Sequence, residues 1–140
     1  MTRLTAVDSS VWIDFLRGRS TLASERLKLL IDTDRLITAD LVLVEILQGV
    51  RDEKNFEFAR RRLATGRLMV VSDANVALRA ARNYRHLRSL GITVRKTIDT
   101  LIATRCILDD LPLLYSDRDF DPFVEHLGLK SALDLDTGVN

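Results

Sequence analysis

The chain has 140 residues, 46% hydrophobic and 29% charged, with six Gly and two Pro, the makeup of one ordinary globular domain with room for a real core and little for a second. One cysteine, Cys106, and two histidines, His86 and His126, exclude an intrachain disulfide framework and any Cys/His zinc constellation, and point to a reducing compartment. The net charge of +1 says little about partners; no apolar run approaches the roughly 20 residues of a membrane span, and Met1-Thr2-Arg3 leads into a strand-like segment rather than a signal-peptide core, so a cytoplasmic protein is expected.

In chain order, Leu4 to Val7 is a short apolar run ending in Asp8, and the denser pattern of Val11, Trp12, Ile13, Phe15 and Leu16 behind Ser9-Ser10 predicts a strand, then a helix stopped by Gly18. Leu22, Leu27, Leu29, Leu30 and Ile31 give a second helix, and Arg35 to Thr38 a second strand, with Thr38 and Asp40 as capping candidates for a helix over Leu41 to Gln48 that ends near Gly49. Phe56, Ala59, Leu63 and Ala64 mark a helix closed by Gly66, and Leu68 to Val71 is β-branched enough for a strand. Ser72 or Asp73 caps a long helix to Leu90, with Gly91 as its stop. Thr97 caps Ile98 to Leu108, Pro112 breaks, Leu113 to Tyr115 is a strand, and Phe120 to His126 a short helix. Short apolar strands without polar alternation, separated by helices, ask for a mostly parallel central sheet flanked by helices in a single α/β domain over 1–133, with a polar, mobile tail over 134–140.

Charge is unevenly spread. From Phe58 to Ile98 there are ten basic residues and one acid, while the rest carries eleven basic against nineteen acidic residues, so a neutral chain can present a basic face beside an acidic centre. Arg79, Arg82 and His86 share one helix face and, with Arg85, are candidates for holding phosphates; solvated arginines are the plain alternative.

In an open parallel sheet, ligands bind beyond the carboxyl ends of the strands. Acids recur there. Asp8 follows the first strand, Asp117 and Asp119 follow the Leu113 to Tyr115 strand, and Asp99 opens a helix that the fold could bring to the same edge. Glu45 is the most informative, because it lies within Leu41-Val42-Leu43-Val44-Glu45-Ile46-Leu47 with no basic residue three or four positions away, and a carboxylate in apolar surroundings is costly unless paired or bound to a cation. Each acid has an ordinary alternative: Asp8 as a helix cap, Asp99 as a helix-dipole partner, Asp117 and Asp119 as turn residues, Glu45 reaching solvent or a distant arginine. Their convergence favours a hard cation, Mg²⁺ or Mn²⁺, held by oxygen ligands and suited to phosphate chemistry.

Val7-Asp8-Ser9-Ser10-Val11-Trp12-Ile13, then Val44-Glu45-Ile46-Leu47-Gln48-Gly49, then Ile98-Asp99-Thr100-Leu101-Ile102-Ala103, then Ser116-Asp117-Arg118-Asp119-Phe120 resembles the PIN-domain family, specifically VapC-type toxins of bacterial toxin-antitoxin systems. The resemblance implies a Mg²⁺- or Mn²⁺-dependent endoribonuclease with Asp8, Glu45 and Asp99 as metal ligands and a fourth ligand from Asp117 first, Asp119 second. Ser10 matches the hydroxyl that supports the first aspartate, and Ser116 stands where the family often has Thr. A homodimer is implied, as is inhibition by a small cognate VapB-like antitoxin whose C-terminal segment lies across the site. Two other readings stand beside this one. An aspartate-nucleophile phosphotransferase or phosphatase is disfavoured because Ser10 stands where a second Asp is needed; a non-catalytic RNA- or protein-binding module would leave the acids structural.

Overall fold

The structure, a computed structural model, describes residues 3–137. Four strands, β1 (Thr5–Val7), β2 (Leu36–Ala39), β3 (Arg67–Met69) and β4 (Leu113–Leu114), form one sheet in the order β3-β2-β1-β4. Every pairing is parallel, with Thr5 opposite Leu36 and Ala6 opposite Leu113. The all-parallel sheet expected from the apolar strands is therefore present. All residues of β1, β2 and β4 are buried, whereas β3, at the edge, is more exposed.

Helices α1 (Ser9–Leu16) and α2 (Leu22–Asp32) join β1 to β2, and α3 (Asp40–Gln48) and α4 (Glu53–Leu63) join β2 to β3. The chain then reverses across the sheet: α5 (Ala74–Ser89) and α6 (Thr97–Leu108) carry it from β3 to β4, on the far side of β1. Right-handed crossovers place α1–α4 over one face and α5–α6 over the other. Trp12, Leu27, Leu30 and Leu63 fill the core with Leu87, Ile102, Phe120 and Phe123, all completely buried. Cys106 packs there too, and burial pushes its thiol up to about 12. A 3₁₀ turn, Arg118–Phe120, leads into α7 (Asp121–Leu127).

Several boundaries differ from the sequence reading for physical reasons. Thr38 does not cap α3: it is a buried strand residue whose hydroxyl donates to the Leu63 carbonyl at 2.8 Å. Asp40 lies inside the first turn of α3, where Oδ1 accepts the Val71 N–H at 3.0 Å and so ties α3 to the segment after β3. Thr97 is the first residue of α6, and Lys96, with no capping side-chain bond, precedes it. Of the polar C-terminal segment, 134–137 lie within α8 (Ala132–Thr137), and 138–140 lie outside the described residues. No helix among the described residues is long and apolar enough to cross a membrane.

Gly66 closes the turn between α4 and β3 where no side chain fits. A methyl there would meet the Thr38 hydroxyl and approach Leu36 Cγ to 2.7 Å, both on the neighbouring strand. Gly66→Ala is expected to cost about 1–3 kcal/mol by overpacking, read as a lower urea midpoint at unchanged slope.

Candidate metal centre

The direction of the connections reverses between β1 and β4, the position beyond whose carboxyl ends open parallel sheets form a binding crevice. Asp8 stands at the end of β1, its N–H bound to the Leu114 carbonyl of β4 at 2.9 Å. Its side chain is 3% exposed and caps α1. Oδ2 accepts from the Ser10 N–H at 3.1 Å and from the Ser10 hydroxyl at 2.7 Å, and Ser10 Oγ in turn accepts the Ser116 N–H at 3.3 Å. Ser10 thus fixes the Asp8 carboxylate and stitches the β1 and β4 ends together; Ser116 contributes its backbone N–H to that network.

Glu45 enters from α3 and Asp99 from the first turn of α6. Asp99 is 4% exposed. Beyond β4, Asp117 caps the 3₁₀ turn by accepting the Asp119 N–H at 2.9 Å. Asp99, Asp117 and Asp119 each bring one carboxylate oxygen within 4.8 Å of the others. Asp8 and Glu45 join them electrostatically. Burial, then the charge of Asp8, raises the Glu45 carboxyl above its ordinary value; burial also raises Asp8 despite the Ser10 hydrogen bonds, with Asp117 adding to the rise. Asp99 is pushed up to about 7, first by burial and then by Asp8, with Glu45 and Asp117 adding and Lys96 opposing.

Among the described residues, five buried side-chain polar atoms lack a hydrogen-bond partner, and three of them are carboxylate oxygens of this cluster: Asp8 Oδ1, Glu45 Oε1 and Asp99 Oδ2. Oxygens of this kind are normally satisfied. A divalent cation held among these acids, of which Asp99, Asp117 and Asp119 stand closest together, would offset the mutual repulsion that raises the carboxyls. With only carboxylate donors present, Mg²⁺ or Mn²⁺ fits the set and zinc does not. Asp119 differs from the others, because Arg95 Nη2 contacts both its oxygens at 2.8 and 3.0 Å.

The sequence reading missed the cations at this edge. Arg95 and Lys96 immediately precede α6, and Lys96 opposes the raised carboxyls of both Glu45 and Asp99. The only signal available was their place just ahead of Asp99. The basic helix is also divided differently from the sequence reading. Arg85 lines a groove between α5 and α6 together with Tyr84 and Arg88, whereas Arg79 and Arg82, though exposed, lie outside that lining. Trp12 is wholly buried and packs edge-on against Phe15 at 5.8 Å, a core role.

A model of the PIN domain matches residues 5–124. Among curated proteins, the chain is 30% identical over 129 residues to VapC ribonuclease Mb1587 of Mycobacterium bovis and to Ribonuclease VapC11 of Mycobacterium tuberculosis, covering 90% of this chain and 96% of each relative. Among solved structures, DNA-bound VapBC from Salmonella typhimurium matches with TM-score 0.73 at 17% identity, covering 94% of this chain and 97% of that one. VapBC2 from Rickettsia felis, bound to a promoter DNA fragment, matches with TM-score 0.70 at 18% identity, covering 91% and 96%.

Proposed function

Because the chain belongs to the PIN-domain family, in its VapC-type branch, we propose that it is a metal-dependent endoribonuclease toxin that hydrolyses RNA phosphodiester bonds at the acidic crevice between β1 and β4. The observation that carries this is the set of three buried carboxylate oxygens, from three separate elements, that have no hydrogen-bond partner. Asp8, Glu45, Asp99 and Asp117 would hold the ion, with Asp119, both of whose oxygens meet Arg95 Nη2, as the lesser ligand.

A Mg²⁺ or Mn²⁺ ion bound there would supply water of lowered pKa and offset the negative charge developing on the phosphoryl and leaving oxygens. The chain's own groups supply the rest. Ser10 holds Asp8 in one rotamer, which keeps its second oxygen, Oδ1, turned away from the Ser10 donors. Lys96 and Arg95 offer positive charge at the mouth of an otherwise anionic site, which lets a phosphodiester approach without full repulsion.

A VapB-like antitoxin is the proposed protein partner. A groove of about 440 Å³ beside Glu45 has Ile13, Leu16, Ile46 and Val50 together with Arg17, Arg51 and Asp52 along its walls, a mixed apolar and charged lining that suits an amphipathic peptide segment ending at the acids. Leu68 and Val70, exposed at and beside the edge strand β3, are the kind of surface a homodimer would cover. A cytoplasmic location fits the single buried thiol, Cys106.

Incubation of purified protein with total RNA and Mn²⁺ or Mg²⁺, followed by end mapping, is expected to give discrete cuts that EDTA abolishes. A folded sample that cuts no cellular RNA with either metal would sink the reading.

A further inference from the structure

α5 and α6 pack against each other, with the buried Asn83 amide donating to the Thr104 hydroxyl at 3.0 Å, and leave a depression along one side of the seam. Between them lies a groove of about 620 Å³ with Tyr84, Arg85 and Arg88 on the α5 side and Thr97 and Thr100 on the α6 side. The Arg88 guanidinium lies over the Tyr84 ring at 5.7 Å from its centroid, and the neighbouring floor is the small, exposed Ala81. Thr100 is 2% exposed, and its hydroxyl is one of the five buried polar atoms without a partner. Arg85 forms no ion pair among the described residues, and α5 contains no acid. Ala77, Ala80 and Leu101 complete an apolar floor, and together with an aromatic ring, a stacked guanidinium, an arginine without an ion pair and a spare hydroxyl it suits the base and phosphate of an unpaired nucleotide.

The groove adjoins the acidic crevice through a single turn of helix. Asp99 faces the acids, while Thr97 and Thr100, on other faces of the same turn, face α5. A helix is about 10 Å across with its side chains, a span of roughly one or two nucleotides. The first turn of α6 also has no side-chain cap, so its N–H groups would face a phosphate crossing between the two sites.

We propose that the α5–α6 groove binds one nucleotide of single-stranded RNA flanking the bond to be cut, with its base on Tyr84 and its phosphates at Arg85 and Arg88. This rests on the ribonuclease reading and adds the substrate's conformation and the direction of its path. Duplex RNA, whose bases are stacked within the helix, would not fill this groove.

Binding of a fluorescein-labelled 12-nucleotide single-stranded RNA, measured by anisotropy with Ca²⁺ replacing Mg²⁺, tests it alongside cleavage. Tyr84→Ala is expected to weaken binding about tenfold to a hundredfold. Arg85→Gln and Arg88→Gln should each lower the slope of log affinity against log salt by about 0.7. Ala81→Glu, at an exposed helix position that tolerates the side chain, should weaken binding as much as Tyr84→Ala and guards against misfolding of the latter. Mn²⁺ affinity should stay within twofold in all four. Unchanged RNA affinity in Ala81→Glu and Arg88→Gln overturns the proposal, as does dissociation of a homodimer by these variants with RNA binding intact, which would make the groove a subunit seam. If the unaltered protein binds RNA through the groove yet cuts nothing, the ribonuclease reading fails and the groove stands; if it cuts while the variants bind normally, the groove fails alone.

Discussion

Asp99→Asn is expected to reduce metal-dependent RNA cleavage about a thousandfold while making the metal-free protein more stable. The two effects have one cause. Asp99 is a buried carboxylate crowded by Asp8, Glu45 and Asp117, with one oxygen facing no donor. An amide of the same shape carries no charge to repel them and brings an N–H₂ group that can donate to those same oxygens. It is also a poor ligand for a hard divalent ion, so catalysis that depends on that ion collapses. Glu45→Ala should likewise raise Tm in EDTA, since it removes a second repelling charge. Asp117→Asn is expected to lose nearly as much cleavage as Asp99→Asn; Asp119→Asn, whose carboxylate is held by Arg95, should lose clearly less. Cleavage and thermal melts in EDTA on the same preparations check this. Loss of activity together with a lowered melting temperature would mean that Asp99 is an ordinary structural acid.

Metal-free protein is also expected to lose stability as pH rises from about 4 to 7, against the usual trend for carboxylates. The sign follows from proton counts. Folded Asp99 keeps its proton up to about 7, whereas in the unfolded chain a carboxyl ionises near 4, so between these values the folded state binds more protons and stability falls with pH. Glu45 and Asp8 are shifted in the same direction and widen the fall. Solvent reaches the half-buried Glu45 and Asp117, which limits the effect to on the order of 2 kcal/mol, several degrees of Tm. Mn²⁺ replaces the lost protons, and at a hundred times its dissociation constant it adds about 2.7 kcal/mol. Scanning calorimetry in EDTA and in Mn²⁺, at pH 5.5 and 7.5, should show a larger metal-induced rise at the higher pH. A flat EDTA profile with no response to Mn²⁺ would contradict the clustered-acid account.

The acids themselves were legible in the sequence because each carried a local anomaly. Glu45 is a charge inside an apolar helical run, and Asp8 and Asp117 sit where strands of a parallel sheet end. The groove was not legible: Tyr84 and Arg88, four residues apart on α5, look like any solvated helix face until α6 is placed beside them. Likewise Thr38 and Asp40 look like caps by composition, but the Leu63 carbonyl and the Val71 N–H, both distant in the chain, compete for them and win.

What the chain alone determined was therefore periodic or local: an α/β alternation, apolar buried strands, stops at Gly18, Gly91 and other glycines, and a short list of out-of-place acids. Sequence periodicity reports which side of an element avoids water, and that is decided within a few residues. Only the tertiary structure decided that β4 lies beside β1, that Lys96 and Arg95 stand at the mouth of the acidic crevice, and that Arg85 parts company with Arg79 and Arg82. Those outcomes depend on distances between groups far apart in the chain, and a charge or a hydroxyl acquires its role from the neighbours that folding brings within a few ångströms of it.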